Sequence, residues 1–415
     1  MSVISARPFL LSVLFVLAAA SNAIVPVASA AEEILYEQKL QLPIQLAVPA
    51  TVDGHTYTFI LDTGCAVECL DPAFSSLMGP YRSTGELATA TAHVDLLNAS
   101  TVTKRGLVFG DDVALKMYDT PPTAIGKWNV PSSQASVFDL QPIRELLGLD
   151  IRGIVGPAEL QEEALLLDFD HNAFKIMRGT IALPSDMKSL KLEEDPYHLP
   201  IIKPEFEGKE TEFLIDTGNS GCLSLRHDIF TDLVARGVID QEMSPAPTQT
   251  LLGTVSIPSG HFTRGLLLGV NLTGMPVSDN GEISSAGMAF LLNFNAVIDF
   301  KGATFSYQGR RALPPISPHK MLGAALKFSD GRNHIFILDP HHSAARDAGL
   351  QLWDRITRLG PLKEPELNYL TLYQLCLDRA GDSLEVEVAR PGVKEPLRKF
   401  ITLPELQFDY APRKQ

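Results

Sequence analysis

The chain has 415 residues, is 45% hydrophobic and 20% charged, and carries a formal net charge of −14. That length accommodates two or three domains with a sizeable core. The acidity argues against nucleic acid or an anionic membrane as a partner, and four cysteines in so long a chain do not make a disulfide framework.

Residues 1–30 read as an export signal. Arg7 supplies the positive segment, Phe9 to Ala20 the apolar segment, and Ala28-Ser29-Ala30 a small-x-small cleavage site. Twelve apolar residues are too few for a ~30 Å hydrocarbon core, so cleavage is expected rather than anchoring. Removing this segment, whose one charge is Arg7, takes the net charge to −15. No later apolar run is long enough to span; Leu266 to Val270 is short and flanked by Gly265 and Gly269. The mature chain is expected to be soluble, without membrane attachment, and exported to a periplasmic or extracellular space.

Leu46 to Leu61 predicts a strand hairpin around Asp53-Gly54, a good turn pair. Its second half, Phe59-Ile60-Leu61, is an apolar run that reads as a buried strand and ends in Asp62-Thr63-Gly64. The same arrangement returns as Phe213-Leu214-Ile215 followed by Asp216-Thr217-Gly218. The surroundings repeat as well. Leu42-Pro43-Ile44 matches Leu199-Pro200-Ile201; Gly54 and Gly208 each precede their Asp by eight residues. Gly156 and Gly287 each stand twelve residues before a second aspartate, Asp168 or Asp299, and Phe174 and Phe305 each follow that aspartate by six. Conserved spacing of this kind predicts two copies of one β-rich unit, each placing one Asp-Thr-Gly at a shared axis.

The first copy is longer. Asp62 to Gly156 spans 94 residues and Asp216 to Gly287 spans 71, so an insertion of 23 is placed between Gly110 and Gly148, where Pro121-Pro122, Pro131 and Pro142 break the pattern. The units are expected over residues 31–184 and 185–312, joined near Leu183 to Pro196, where Pro, Ser, Lys, Glu and Asp cluster. Asp168 and Asp299 lie before turn residues and read as structural. The cysteines (Cys65, Cys69, Cys222, Cys376) read as buried thiols, with a Cys65–Cys69 or Cys69–Cys222 bridge as the alternatives. No Cys or His spacing suggests zinc; His341-His342 reads as a polar loop pair, and a nucleophilic Cys65 would need a paired His that the sequence does not identify.

The paired motifs, with Ile154-Val155-Gly156 and Ser285-Ala286-Gly287 behind them, resemble the aspartic peptidase family, in particular bacterial relatives of the retroviral proteases. The resemblance covers roughly Glu33 to Gly309. It implies a mainly β, two-lobed acid-protease fold in which Asp62 and Asp216 form a shared catalytic pair. Thr63 and Thr217 would hydrogen-bond across the lobe interface, Gly64 and Gly218 would let backbone approach the axis, and neither metal nor cofactor would be required. Two features depart from the family: Cys65 and Asn219 follow the motifs where a small residue is usual, and no Tyr- or Gly-rich flap can be picked out.

Beyond the basic, proline-marked Arg310–Pro315, residues 313–405 predict a third unit, with 406–415 as a tail. Its predicted order is a strand at Ile335–Leu338, a short helix over Ser343–Leu350 closed by Gly349, a turn with Asp354, a helix around Leu370–Asp378 and an alternating strand at Leu384–Arg390. This order resembles a circularly permuted bacterial PDZ domain. The resemblance implies that Leu322, Gly323 and Ala324 form a carboxylate-binding loop for a protein C-terminus, with Trp353 standing where the family has Gly. The function expected is an exported aspartic endopeptidase acting on peptide or protein substrates. The alternatives are a non-catalytic binding protein that keeps the fold, and a scaffold working through its PDZ groove.

Overall fold

The computed structural model describes residues 32–40, 46–79, 81–82, 117–193, 195–241, 246–250, 253–281, 283–310, 321–329, 332–338 and 344–405. The expected export signal, Leu42-Pro43-Ile44, Gly110, the linker residues 311–315, His341-His342 and the tail 406–415 lie outside them. The fold is mainly β. No helix among the described residues is long and apolar enough to cross a membrane.

The Asp53-Gly54 hairpin forms as read from sequence. Leu46–Val52 pairs antiparallel with His55–Leu61, and both turn residues sit at positive φ, 48° and 75°. Positive φ at both central residues is the two-residue turn whose twist matches that of the strands, and Asp-Gly tolerates it. Glu207-Gly208 repeats this geometry, with φ of 50° and 81°, between Glu205–Phe206 and Lys209–Glu210.

The internal repeat is visible strand by strand. In the first copy His55–Leu61 runs parallel to Ile151–Val155, which pairs antiparallel with Glu68–Leu70, which in turn runs parallel to Gln134–Val137. In the second copy Phe213–Asp216 runs parallel to Ser285–Gly287, which pairs antiparallel with Leu223–Arg226, which runs parallel to Pro276–Gly281. The copies meet in a six-stranded sheet ordered Glu33–Lys39, Ala173–Arg178, Glu163–Asp168, Phe294–Asp299, Thr304–Gly309, Lys188–Lys191. Its central pair is antiparallel, with Leu165 opposite Ile298 and Leu166 opposite Val297, so the two halves are related by an approximate twofold axis. One hydrophobic core runs through both copies and includes Phe59, Leu61, Phe174, Phe213, Ile215 and Phe305. Asp168 and Asp299 are turn residues, as expected: each accepts a backbone N–H three residues on, from His171 at 3.0 Å and Gly302 at 2.7 Å.

Two expectations are corrected. The segment taken as a joint, Leu183–Pro196, contains the strand Lys188–Lys191. It reads as a linker because it is an edge strand whose side chains are mostly exposed, so no apolar alternation marks it. The extra length of the first copy is not a loop across Gly110–Gly148. The strands Met117–Asp119, Thr123–Ile125, Trp128–Val130 and Gln134–Val137 occupy much of that interval, and among the described residues the helix Gln141–Leu147 has no counterpart in the second copy. That helix follows helix-start and helix-stop chemistry: Asp139 Oδ1 accepts the Gln141 N–H at 2.9 Å, Pro142 stands in the first turn, and Gly148 caps it at φ 66°. The second copy also carries a hairpin in which Ala246–Thr250 pairs with Gly253–Ile257, between Ile239–Gln241 and Ser259–Phe262, which themselves pair.

The C-terminal residues build a separate sheet, Ala324–Ser329, Arg332–Leu338, Arg355–Leu359, Ser383–Ala389, Leu397–Thr402, with Leu362–Lys363 on Arg355–Leu359. It has its own core, from Met321 and Leu322 to Ile401 and Leu403. The predicted short helix and long helix are Ala344–Asp347 and Tyr369–Asp378. Gly349 takes φ 72° and its N–H reaches Arg346 O at 2.7 Å, as a helix-ending glycine does. Gly323 also lies in the left-handed region, at φ 67°, between buried Leu322 and Ala324. Trp353 adopts φ 70° and is 61% exposed.

Candidate active site

The two apolar strands deliver their aspartates to one point. Phe59 and Leu61 face the common core while Ile60 faces a second cluster on the other side of the sheet; in the second copy Phe213 and Ile215 face the core and Leu214 faces outward into another cluster. Burial on both faces is why each run is continuously apolar instead of alternating. The chain then turns and the Asp side chain stands at the strand end, still partly accessible.

Threonines join the two turns. Thr63 Oγ1 donates to Ile215 O at 2.6 Å and accepts from Thr217 N at 3.0 Å; Thr217 Oγ1 donates to Leu61 O at 2.9 Å and accepts from Thr63 N at 3.0 Å. Both threonines are fully buried. Replacing Thr63 with Val keeps the shape but orphans Ile215 O and Thr217 N. Each buried unsatisfied group costs about 1–3 kcal/mol, so Thr63→Val should lower unfolding free energy by about 2–5 kcal/mol. A urea titration showing a loss below about 0.5 kcal/mol would contradict this reading of the hydrogen bonds.

Gly64 and Gly218 are dictated by space. A Cβ on Gly64 would stand 2.6 Å from Asp216 Oδ1, and one on Gly218 2.1 Å from Asp62 Oδ2. Each glycine therefore lies against the carboxyl of the opposite copy, and its N–H bonds to the carboxyl of its own: Gly64 N to Asp62 Oδ1 at 2.8 Å, Gly218 N to Asp216 Oδ1 at 3.0 Å. Asn219 N adds 2.9 Å to Asp216 Oδ1. The two carboxyls hydrogen-bond to one another. Burial pushes Asp62 up to about 6, offset by backbone N–H donors and by Asp216. Burial, then the Asp62 charge, pushes Asp216 up to about 8. The pair titrates as a unit and holds one proton near neutrality.

The later glycines also sit where the spacing put them, under the Asp turns. A Cβ on Gly156 would meet Cys65 O at 2.1 Å, and one on Gly287 would meet Gly221 O at 2.4 Å. Cys65 and Cys69 are buried free thiols with their sulfurs 3.8 Å apart, and Cys222 and Cys376 are buried and free as well. The contact with Cys69, with burial second, pushes the Cys65 thiol well up, and it donates to Val67 O at 3.0 Å. It is therefore a packing residue in thiol form. Asn219 uses its side-chain amide on Ser285 Oγ at 3.2 Å, and its Oδ1 accepts from Gly221 N at 2.7 Å, so it braces the loop. Leu322, Gly323 and Ala324 are not part of this site; they begin the sheet of the C-terminal unit.

Sequence reading missed a second carboxyl pair. Glu68 and Glu159 are each 2% exposed, and the Ser133 hydroxyl bonds to both, reaching Glu68 Oε2 at 2.7 Å. Glu159 Oε2 accepts the Gly156 N–H at 3.2 Å and so holds the glycine that underlies the Asp62 turn. Burial, then the Glu159 charge, pushes Glu68 up to about 8. Glu68 thus keeps a proton in the fold that the unfolded chain releases near 4.5. Its contribution is full below that value and is lost as pH rises toward about 8. The urea midpoint should fall across this window, and Glu68→Gln should flatten the fall by a few kcal/mol. Asp62 and Asp216 contribute with the same sign in both proteins, so the difference isolates Glu68. An unchanged slope would sink the assignment. The only signal in the sequence was one Glu beside each motif segment, Glu68 and Glu159, which nothing in the spacing relates.

No protein-family model matches this chain, and no curated protein matches it significantly. Among the described residues, no group of His, Cys, Asp and Glu could hold a metal ion.

Proposed function

We propose that this protein is an exported aspartic-type endopeptidase built on a two-lobed acid-protease fold, with a C-terminal PDZ-like unit. The observation that carries this reading is the pair of hydrogen-bonded carboxyls, Asp62 and Asp216, presented by equivalent strands and still accessible from one side. Two such carboxyls cannot both ionise cheaply, so one proton is shared. The ionised member, Asp62, takes a proton from a water lying between the pair. The protonated member, Asp216, donates to the scissile carbonyl, and the water oxygen attacks its carbon. The tetrahedral diol then collapses: the C–N bond breaks as Asp62 passes its proton to the amine nitrogen, and a diol hydroxyl returns its proton to Asp216 as the carboxylic acid product forms. The backbone N–H groups of Gly64, Gly218 and Asn219 fix the carboxyl orientation before substrate arrives, which lowers the reorganisation needed in the transition state. In this reading the hairpin Ala246–Ile257 of the second copy would serve as a flap over a bound extended peptide. The test is a purified chain beginning near Ala31, assayed on denatured protein with and without a statine-type inhibitor. Inhibitor-sensitive cleavage is expected; no cleavage at any pH from about 3 to 9 would refute the reading.

A further inference from the structure

Helix Gln141–Leu147 lies at a junction. It packs beside the strand Ala324–Ser329 and the helix Tyr369–Asp378 of the C-terminal unit, and beside the hairpin strand Ala246–Thr250 of the second copy. Among the described strands, Ala324–Ser329 pairs with Arg332–Leu338 and stands at the end of the sheet. The other edge of this strand is where a PDZ-like unit would add a peptide strand. That edge faces the helix Gln141–Leu147 instead, and Lys327 on the strand pairs with Glu145 on the helix at 2.8 Å.

The contact is apolar at its centre. Tyr373, fully buried, belongs to a cluster made of residues from the first copy rather than to the core of its own unit. The other buried members of that cluster are Ile60, Cys65, Cys69, Leu140, Leu147, Ile151 and Ile154. Leu377 packs on the same cluster, one helical turn from Tyr373. Ile60 is two residues before Asp62, and Cys65 and Cys69 flank the turn that follows it. Arg144, from the middle of the helix, is tied to Asp71 at the end of the strand carrying Cys69, and donates to Ile151 O at 3.2 Å. The helix absent from the second copy is thus the piece through which the C-terminal unit touches the Asp62 turn.

We propose that helix Gln141–Leu147 is an internal ligand closing the peptide edge of the C-terminal unit, and that through it this unit acts as a positioning element for the Asp62 turn. The proposal rests on the PDZ-like reading for the peptide edge and on the peptidase reading for its consequence in turnover. A peptide C-terminus reaching that edge has to displace the helix, and displacement removes the packing behind Ile60, Cys65 and Cys69.

Hydrogen exchange of the full chain by mass spectrometry tests this without using activity. In Tyr373→Ala, amides in Phe59–Leu61, Glu68–Leu70 and Gln141–Leu147 should exchange at least about ten-fold faster, while those in Phe213–Asp216 and Val386–Val388 keep their rates. Unchanged exchange in Phe59–Leu61 overturns the proposal. Equal acceleration in Phe213–Asp216 also overturns it, because that is general loss of stability. Charge reversal gives a gentler version: Lys327→Glu or Glu145→Lys alone should speed exchange in Gln141–Leu147, and the double reversal should restore it. Absence of rescue counts against the contact. In turnover, Tyr373→Ala should lower kcat at least about five-fold with KM little changed, since substrate contacts are intact. A wild-type chain that is inert refutes the peptidase reading while the exchange result still decides this one.

Discussion

Asp62→Asn and Asp216→Asn should each lower kcat/KM on a denatured protein substrate by a factor of about 10⁴ or more, because each removes one half of an acid–base pair that works only as a unit. The double variant should be no worse than either single one within about ten-fold, since nothing remains for the second change to remove. Both variants should remain folded. Asn keeps an acceptor for the Gly64 or Gly218 N–H; at neutral pH Asp62→Asn also removes a buried charge and should be equally or more stable to heat, whereas Asp216→Asn replaces a neutral group and should leave stability about unchanged. A single variant that retains more than about a tenth of wild-type activity excludes catalysis by the pair. A variant that unfolds leaves the other to be scored, as the two carboxyls are held by separate turns.

The second large effect is on pH dependence. Burial raises both aspartates, to about 6 for Asp62 and about 8 for Asp216. Below about 6 the pair gains a second proton and the base is lost; above about 8 it loses its last proton and the acid is lost. The profile of kcat/KM should therefore be a bell with its top between about pH 6 and 8, falling about ten-fold per unit on either side. The physical cause lies in what surrounds the pair. The donors that could stabilise the charged form are backbone N–H groups, of Gly64, Cys65 and Gly218 at Asp62 and of Gly218 and Asn219 at Asp216, and these do not offset desolvation and mutual repulsion. A maximum below pH 4 would show that water or another donor stabilises the ionised pair far better than this geometry provides, and the proton assignment would fall with it.

Much of the site was legible in the sequence because each element of it is local. An apolar run, an Asp, a Thr and a Gly in succession specify strand, turn and a carboxyl at the strand end, and a second copy at matched spacing implies an axis between them. The glycines were also readable, since Gly156 and Gly287 stand where any Cβ would strike backbone. The hairpin at Asp53-Gly54, the turn roles of Asp168 and Asp299, and the strand and helix order of the C-terminal unit followed from turn chemistry and periodicity for the same reason.

What the tertiary structure decided are relations between distant segments. Lys188–Lys191 is a strand because Thr304–Gly309 offers it an edge, not because its own residues alternate. Glu68 and Glu159 become a proton-holding pair only when two strands and a short 3-10 turn converge around Ser133. The raised aspartate values depend on burial, which no spacing reveals. The contact of helix Gln141–Leu147 with Tyr373 joins residues more than two hundred positions apart. Local sequence determines conformation through propensities and turn geometry, whereas burial, proton affinity and contact between units depend on which surfaces meet once the chain has closed.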